Sequence, residues 1–384
     1  MFATTSYRSN AGLKKEHDDE ARLKPAPKNR FYARQQSTDH VELMFLRVVG
    51  RNRVPIAAIE DIPNTIDEEV QNAVPYGATM EVHKATWNKQ GVVVKYIRRD
   101  YVGEAYGRAM LDMNFELQLM SKGSLRKHRN IPKLIAVCFD TRPGDPQTSS
   151  TVYPGLVVEP AHEQYPDLRH YFNIGSHPSR PRRLPFQTSA HFIADIADGV
   201  TALHDHDIVH SDLKPENILI FADSASPSGL VAKVADFGFV GMTTYNNAGE
   251  RAGLSESRPL GGTAEWAAPE CLVDADPVMT SRSLEHPSYE SCIDIYSFGL
   301  LASYIALDGQ TPLEYALNLS HSKTSDALRD KVVAKIKDYY SHDYPGCEPS
   351  LKEAAIYIAQ QTLLLDSTQR IKSLRSIREH LFGT

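Results

Sequence analysis

Residues 209–220 read VHSDLKPENILI. Within this run a histidine, two acids, a lysine and an asparagine sit between apolar, largely β-branched ends. A surface loop has no need of apolar brackets, and a buried strand does not tolerate unpaired charges. The stretch therefore reads as a loop anchored in the core at both ends, holding its ionisable groups in a fixed place. Immediately upstream, in SAHFIADIADGVTALHDHDI, Phe192, Ile196, Val200 and Leu203 recur at i, i+4, i+8 and i+11. That spacing is one stripe of a helix ending just before the loop. Downstream, FADSASPSG is a loop by its Ser, Pro and Gly content.

The whole chain bounds what this loop serves. It has 384 residues, room for two to three domains at about 150 residues each. With 41% hydrophobic and 23% charged residues, it can fill a core, which excludes global disorder. A formal net charge of -6 speaks against a nucleic-acid binder, which carries a basic excess. Cys138, Cys271, Cys292 and Cys347 lie far apart without a C-x-x-C pair, so neither a disulfide framework nor a zinc site is expected. No apolar run approaches about 18 residues, so no membrane span is expected. The first residues lack an apolar secretion stretch, and acids from Glu16 onward argue against a transit peptide. A cytoplasmic or nuclear location is the expectation.

Residues 1–38 are polar and mixed in charge and read as a flexible tail. Residues 39–70 form an extension in which HVELMFLRVV and RVPIAAIEDI read as short strands or a small capping element. From about Val74 the pattern sharpens. MEVHKATW (80–87) and GVVVKYI (91–97) read as a hairpin joined by Asn88-Lys89-Gln90. Met110, Phe115 and Leu119 mark a helix, and IPKLIAVCF and TVYPGLVVEP are strand-like runs around a loop. The second half is mostly helical. IDIYSFGLLASYIAL is apolar almost all round, as a central buried helix would be, and RDKVVAKIKDYY, LKEAAIYIAQQTLLL and SIREHLF add further helices.

His210-Ser211-Asp212-Leu213-Lys214-Pro215-Glu216-Asn217 resembles the catalytic loop of protein kinases, H-R-D-L-x-x-x-N. Alone, the resemblance is modest. It gains weight because other motifs of that family follow in order. ADFGF supplies Asp236-Phe237-Gly238, and GGTAEWAAPE ends in Ala268-Pro269-Glu270. GVVVKYI matches the V-A-I-K strand, with Lys95 as its lysine and Val93 at the alanine position. DIYSFG (294–299) is similar to the buried helix after A-P-E, and LDSTQR places Arg370 where the family pairs an arginine with the A-P-E glutamate, here Glu270. The set runs from about Val74 to Leu381. The resemblance implies an α+β, bilobal protein kinase fold over residues 71–384. A small antiparallel β-sheet lobe with one helix (about 71–160) would precede a larger, mainly helical lobe (about 161–384).

What the resemblance implies for chemistry follows from phosphoryl transfer, which asks a protein mainly for positioning and charge neutralisation. Asp212 would take the proton of the substrate hydroxyl, Lys214 would stand near the transferred phosphoryl, and Asn217 and Asp236 would hold Mg2+. Lys95 would meet the ATP phosphates, held by Glu116 on the helix, with Glu104 the alternative. Val158 would be the gatekeeper of a hinge, VVEPAHE, whose Glu159 and Ala161 backbone groups face adenine. His210 would pack beneath Phe237. Lys214 two residues after Asp212, and Thr263 bonded to both, resemble serine/threonine kinases, so the expected substrate is a protein with a Ser or Thr acceptor.

Two departures stand out. Aligned on Val82, the glycine-rich loop G-x-G-x-x-G-x-V reads PYGATMEV, so Pro75 and Met80 replace the outer glycines and Gly77 alone remains. Without side chains, glycines let backbone approach phosphate closely; their loss predicts a stiffer lid and motivates a second reading as a nucleotide-binding pseudokinase scaffold. A small-molecule kinase of the aminoglycoside or choline type is a third reading, but that type lacks the A-P-E segment. The other departure is Ser211, where regulated kinases carry an arginine that pairs with phosphate on the activation segment. The expectation is activity that does not require phosphorylation at Thr243, Thr244, Tyr245, Ser255 or Ser257, with Arg251 and Arg258 as substitute phosphate partners.

Overall fold

The computed structural model describes residues 38–62, 80–98, 100–142, 151–173, 185–238, 241–245, 251–254, 262–271, 290–312, 325–342 and 349–383. Two lobes result. In the smaller, β2 (Met80–Trp87) and β3 (Gln90–Ile97) form the expected hairpin. The turn is Asn88–Lys89 alone, with φ of 49° and 65°, the left-handed pair of a type I′ turn, so Gln90 belongs to the strand. β3 pairs with β5 (Thr151–Val158), and β5 with β4 (Leu134–Arg142), all antiparallel. β1 (Ile56–Ala57) adds in parallel to β4, which gives the order β1-β4-β5-β3-β2. Strand alternation sends Val92, Val94 and Tyr96 to one face, against Ala57, Ile62 and Cys138, and Val93 and Lys95 to the other.

Of the two readings of this stretch, short strands or a small capping element, residues 38–52 depart from the strand one. Thr38–Asn52 is helix α1, with Val41, Phe45 and Val49 buried at i, i+4 and i+8. Helix α2 (Gly103–Ser121) packs beside it.

In the larger lobe α4 (Phe186–His204) buries the predicted stripe Phe192, Ile196, Val200 and Leu203, following the short α3 (Leu168–Asn173). The brackets of the opening stretch are strands: β6 (Ile208–Val209) before the loop, and β7 (Ile218–Ala222) after it, paired with β8 (Leu230–Val234). α5 (Glu290–Ala306) is enclosed by α4, α6 (Ser325–His342) and α7 (Pro349–Thr362), and α8 (Ile377–Phe382) closes the lobe. At Gly299 a Cβ would lie 2.0 Å from Thr362 Oγ1, so α5 and α7 touch as they do only because residue 299 has no side chain.

β9 (Gly241–Tyr245) pairs with β6, and β10 (Arg251–Leu254) pairs with β9, a three-stranded sheet in the order β10-β9-β6. Residues 1–37, Pro75, Gly77, Cys347, Ser255, Ser257 and Arg258 lie outside the described residues.

Arg370 ties the end of the larger lobe together. Its side chain is 0% exposed. Nη1 and Nη2 donate to the two Glu270 carboxylate oxygens at 2.6 and 2.8 Å, and Nη1 also to Cys292 O at 2.9 Å. Nε donates to Leu364 O at 2.8 Å, and the guanidinium lies over the Tyr296 ring at 4.9 Å. A two-pronged contact of this kind needs the planar fork of arginine. Removing one partner of a buried pair leaves the other charged and alone, so Arg370→Met is expected to cost about 3–5 kcal/mol. Urea unfolding measures it; a loss below about 1 kcal/mol would contradict this account of the lobe.

Candidate active site

Asp294, 0% exposed on α5, fixes the catalytic loop from below. Its Oδ2 accepts the His210 N–H at 2.7 Å and the His204 Nε2–H at 2.9 Å, and its Oδ1 accepts the Ser211 N–H at 2.8 Å. Ser211 is thereby held at φ 66°, a left-handed conformation that serine rarely adopts. Its hydroxyl oxygen is buried without a hydrogen bond. His210 Nε2–H donates to Ala235 O at 2.9 Å, and its Nδ1 accepts the Asp212 N–H at 3.3 Å. One nitrogen of the ring donates and the other accepts. It meets the edge of Phe237 at 5.8 Å, a packing role between the loop and the D-F-G turn.

Around Asp212 three sequence-predicted residues converge. Oδ1 accepts the Thr263 N–H at 2.8 Å and its hydroxyl at 3.0 Å. Oδ2 accepts Lys214 Nζ at 2.8 Å and Asn217 Nδ2 at 3.0 Å. Lys214 Nζ also donates to Thr263 Oγ1 at 2.9 Å, which closes the ring of contacts. Thr263 arrives there through Gly262, at φ 150°, where a Cβ would stand 2.7 Å from Ser211 O. The 3-10 turn Pro215–Asn217 starts with proline, whose fixed φ suits that position, and it delivers Asn217 to the loop.

Asp236 follows β8, which is tied to the loop by Ala235 N–H to Asn217 O at 2.9 Å. It sits at φ 62° and accepts the Gly238 N–H on Oδ1 at 3.3 Å. Across the cleft Lys95 Nζ meets Glu116 Oε1 at 2.5 Å. Burial works against the ammonium charge, but Glu116 and Asp236 outweigh it, and the Lys95 pKa lies above its ordinary value. Glu104, the alternative partner, is exposed in the first turn of α2. Asn217 uses its Nδ2 on Asp212 O at 2.8 Å as well as on the carboxylate, so its amide oxygen is the atom left for a cation. With the Asp236 carboxylate that makes a hard oxygen pair. Among the described residues no cluster of three or more His, Cys, Asp or Glu suits a metal ion. A cation held by two protein oxygens and completed by phosphates, the usual Mg2+ arrangement, fits this donor set.

Val82 stands opposite Lys95 in the β2–β3 register, and Val93 opposite Val158, the last residue of β5. Glu159 donates its N–H to Lys133 O at 3.1 Å and accepts the Lys133 N–H on Oε1 at 2.7 Å. Its carbonyl and the Ala161 backbone remain. Met80 is a buried strand residue opposite Ile97. A glycine there would remove a core side chain, so this departure from the glycine-rich pattern has a packing reason.

Two groups that support the site went unrecognised in the sequence. One is Asp294, visible in DIYSFG only as part of a helix. The other is Lys233 on β8, which pairs with the Glu159 carboxylate and lies 4.5 Å from the Phe221 ring centre. Burial pushes the Lys233 pKa below its ordinary value, against the pull of Glu159. This pair links the hinge to the strand that carries Asp236. Its signal, a lysine in a β-branched run, is indistinguishable from a solvated strand position.

The comparisons agree with this geometry. A model of the protein kinase domain matches residues 69–382, and the chain belongs to the protein kinase family. A probable serine/threonine-protein kinase of Dictyostelium discoideum is 23% identical over 72% of this chain and 15% of its own length. A serine/threonine/tyrosine-protein kinase of Arabidopsis thaliana is 25% identical over 67% of this chain and 56% of its own. Cyclin-dependent kinase 4 of Ovis aries is 30% identical over 59% of this chain and 62% of its own. The chain spans less than two thirds of the length of each of these relatives.

The orphan hydroxyl and left-handed backbone of Ser211 set up a stability test. Left-handed geometry costs a non-glycine residue about 1–2 kcal/mol, and the looser unfolded state of glycine returns part of it. Ser211→Gly is expected to leave stability unchanged or raise it by up to about 1 kcal/mol in urea unfolding. A loss of that size would mean the serine has a partner.

Proposed function

We propose that the chain is a serine/threonine protein kinase that transfers the γ-phosphate of ATP to a protein hydroxyl with Mg2+. The observation that carries this reading is the closed ring of Asp212, Lys214, Asn217 and Thr263, standing with the Lys95–Glu116 pair formed. Asp212 accepts hydrogen bonds from three residues, which fixes its carboxylate to receive the proton of an incoming hydroxyl. The hydroxyl oxygen then bonds to the γ-phosphorus as the bond to the ADP oxygen breaks. Lys214, already bonded to Asp212, neutralises charge on the transferring group. Lys95 holds the nucleotide phosphates, and Glu116 holds Lys95. Asn217 and Asp236 would hold Mg2+, which would neutralise triphosphate charge. The Ser/Thr preference is supported by Lys214 and Thr263 both reaching Asp212. Asp212→Asn is expected to lower turnover about 10²–10⁴-fold with ATP affinity little changed, whereas Asp236→Asn weakens Mg2+-dependent ATP binding. Radiolabelled ATP with a generic basic protein reads both. Activity equal to wild type in both variants would sink the assignment.

The second reading, a nucleotide-binding scaffold without transfer, is favoured by Met80, whose buried side chain fixes the lid strand at a position the family leaves to glycine. It predicts ATP binding with no label transferred by the wild-type chain.

Regulation by activation-segment phosphate is not expected. Ser211 has no charge with which to meet a phosphate. The pairing of β9 with β6, Ile208 opposite Met242 and Val209 opposite Gly241, offers another source of order in the segment. Phosphatase treatment, checked by mass spectrometry, is expected to leave the initial rate within about tenfold, equivalent to about 1.4 kcal/mol of barrier. A larger drop would mean that another cation does the arginine's work.

A further inference from the structure

We propose that residues 38–62 are an internal brace that positions Glu116 against Lys95. The proposal rests on the kinase reading only for what that contact accomplishes.

The brace grips both the helix that carries Glu116 and the sheet that carries Lys95. Val41, Phe45 and Val49 of α1 lie buried in the same core as Met110, Met113 and Leu117 of α2. The ring of Phe45 meets that of Phe139 on β4 edge-on at 6.1 Å, so α1 touches helix and sheet together. Polar latches tie α1 to α2 at three levels. Tyr106 Oη donates to Glu42 Oε1 at 3.4 Å, Asn114 Nδ2 to Val41 O at 3.0 Å, and Asn52 Nδ2 to Ser121 Oγ at 2.9 Å. At about 1.5 Å per residue they span some 22 Å of α2. Glu116 falls between the second and third. Asn114 is 1% exposed, and a polar group so buried is tolerated where its bond is made.

The same segment then takes hold of the sheet that carries Lys95. Pro55 O accepts the Val137 N–H at 2.8 Å, β1 registers Ile56 with Val137 and Ala57 with Cys138, and Ala57 and Ile62 cover the face containing Val94 and Tyr96. Helix and sheet are thus referenced to each other through one short piece of chain. At the start of α2 the Tyr106 ring meets Tyr153 of β5 edge-on at 6.0 Å, but the N-cap, Val102, makes no side-chain cap bond and is 76% exposed. A contact of 2.5 Å between Lys95 and Glu116 is sensitive to small shifts of α2, and α1 is placed to prevent them.

The test is a double-mutant cycle in the full-length chain, Phe45→Ala with Glu116→Gln, read on MgATP affinity by calorimetry and on turnover. If α1 acts through Glu116, Phe45→Ala lowers MgATP affinity and turnover at least tenfold in the parent and less than twofold in the Glu116→Gln background, and Phe45→Leu restores most of the parent value. Equal losses in both backgrounds, or no loss, overturn the proposal. Should Phe45→Ala not fold, Val49→Ala takes its place in the same cycle with the same two outcomes. If the parent binds MgATP but transfers no phosphate, the kinase reading fails while the affinity arm still decides the brace.

Discussion

A single buried carboxylate sets the frame of the site. Asp294 accepts bonds from His210, Ser211 and His204, and hydrogen bonds to a charged acceptor are among the stronger ones a protein makes. Those bonds hold the loop's backbone in a conformation it would otherwise leave, with Ser211 left-handed. That orientation brings His210 to Ala235 and Asp212 to Thr263. Each later contact, from the Lys214 bridge to the position of Asp236, inherits its coordinates from this anchor. The anchor in turn lies on α5, enclosed by three helices, so the chemistry is referenced to the buried core of the larger lobe.

The smaller lobe solves a different problem. There the two charges that must meet, Lys95 and Glu116, belong to separate elements, a strand and a helix. Nothing in the ion pair itself fixes the distance between those elements, because a buried pair gains from contact only when its geometry is already right. Packing has to supply it. The larger lobe meets the same demand at Arg370 and Glu270 by surrounding the guanidinium with carbonyls and a ring. The smaller lobe meets it with hydrophobic contact along α1 and a strand joined to the sheet edge.

Legibility in the sequence followed locality. The catalytic loop, the β2–β3 hairpin and the α4 stripe were readable because their signals lie within a few residues, and their positions in order carried the family resemblance. Glu116 was readable as a candidate only through that order. The choice between short strands and a small capping element stayed open for residues 40–49 because their Leu, Met, Phe and Val content satisfies strand and helix alike, although Val41, Phe45 and Val49 keep helical spacing. The burial of Met80 was not legible, since a motif aligns letters and does not show which way a strand side chain faces. Asp294 and Lys233 were missed for a shared reason. Their partners lie 84 and 74 residues away, and only the folded chain brings them together.

The sheet β10-β9-β6 gives the described strands of the activation segment, Gly241–Tyr245 and Arg251–Leu254, a source of order. Hydrogen bonds between backbone amides carry no net charge, so dissolved ions screen them hardly at all, whereas a phosphate held by arginine weakens as ionic strength rises. A segment fastened by strand pairing keeps its shape across a wide range of salt. What loosens it is heat, or anything that competes for these backbone pairings.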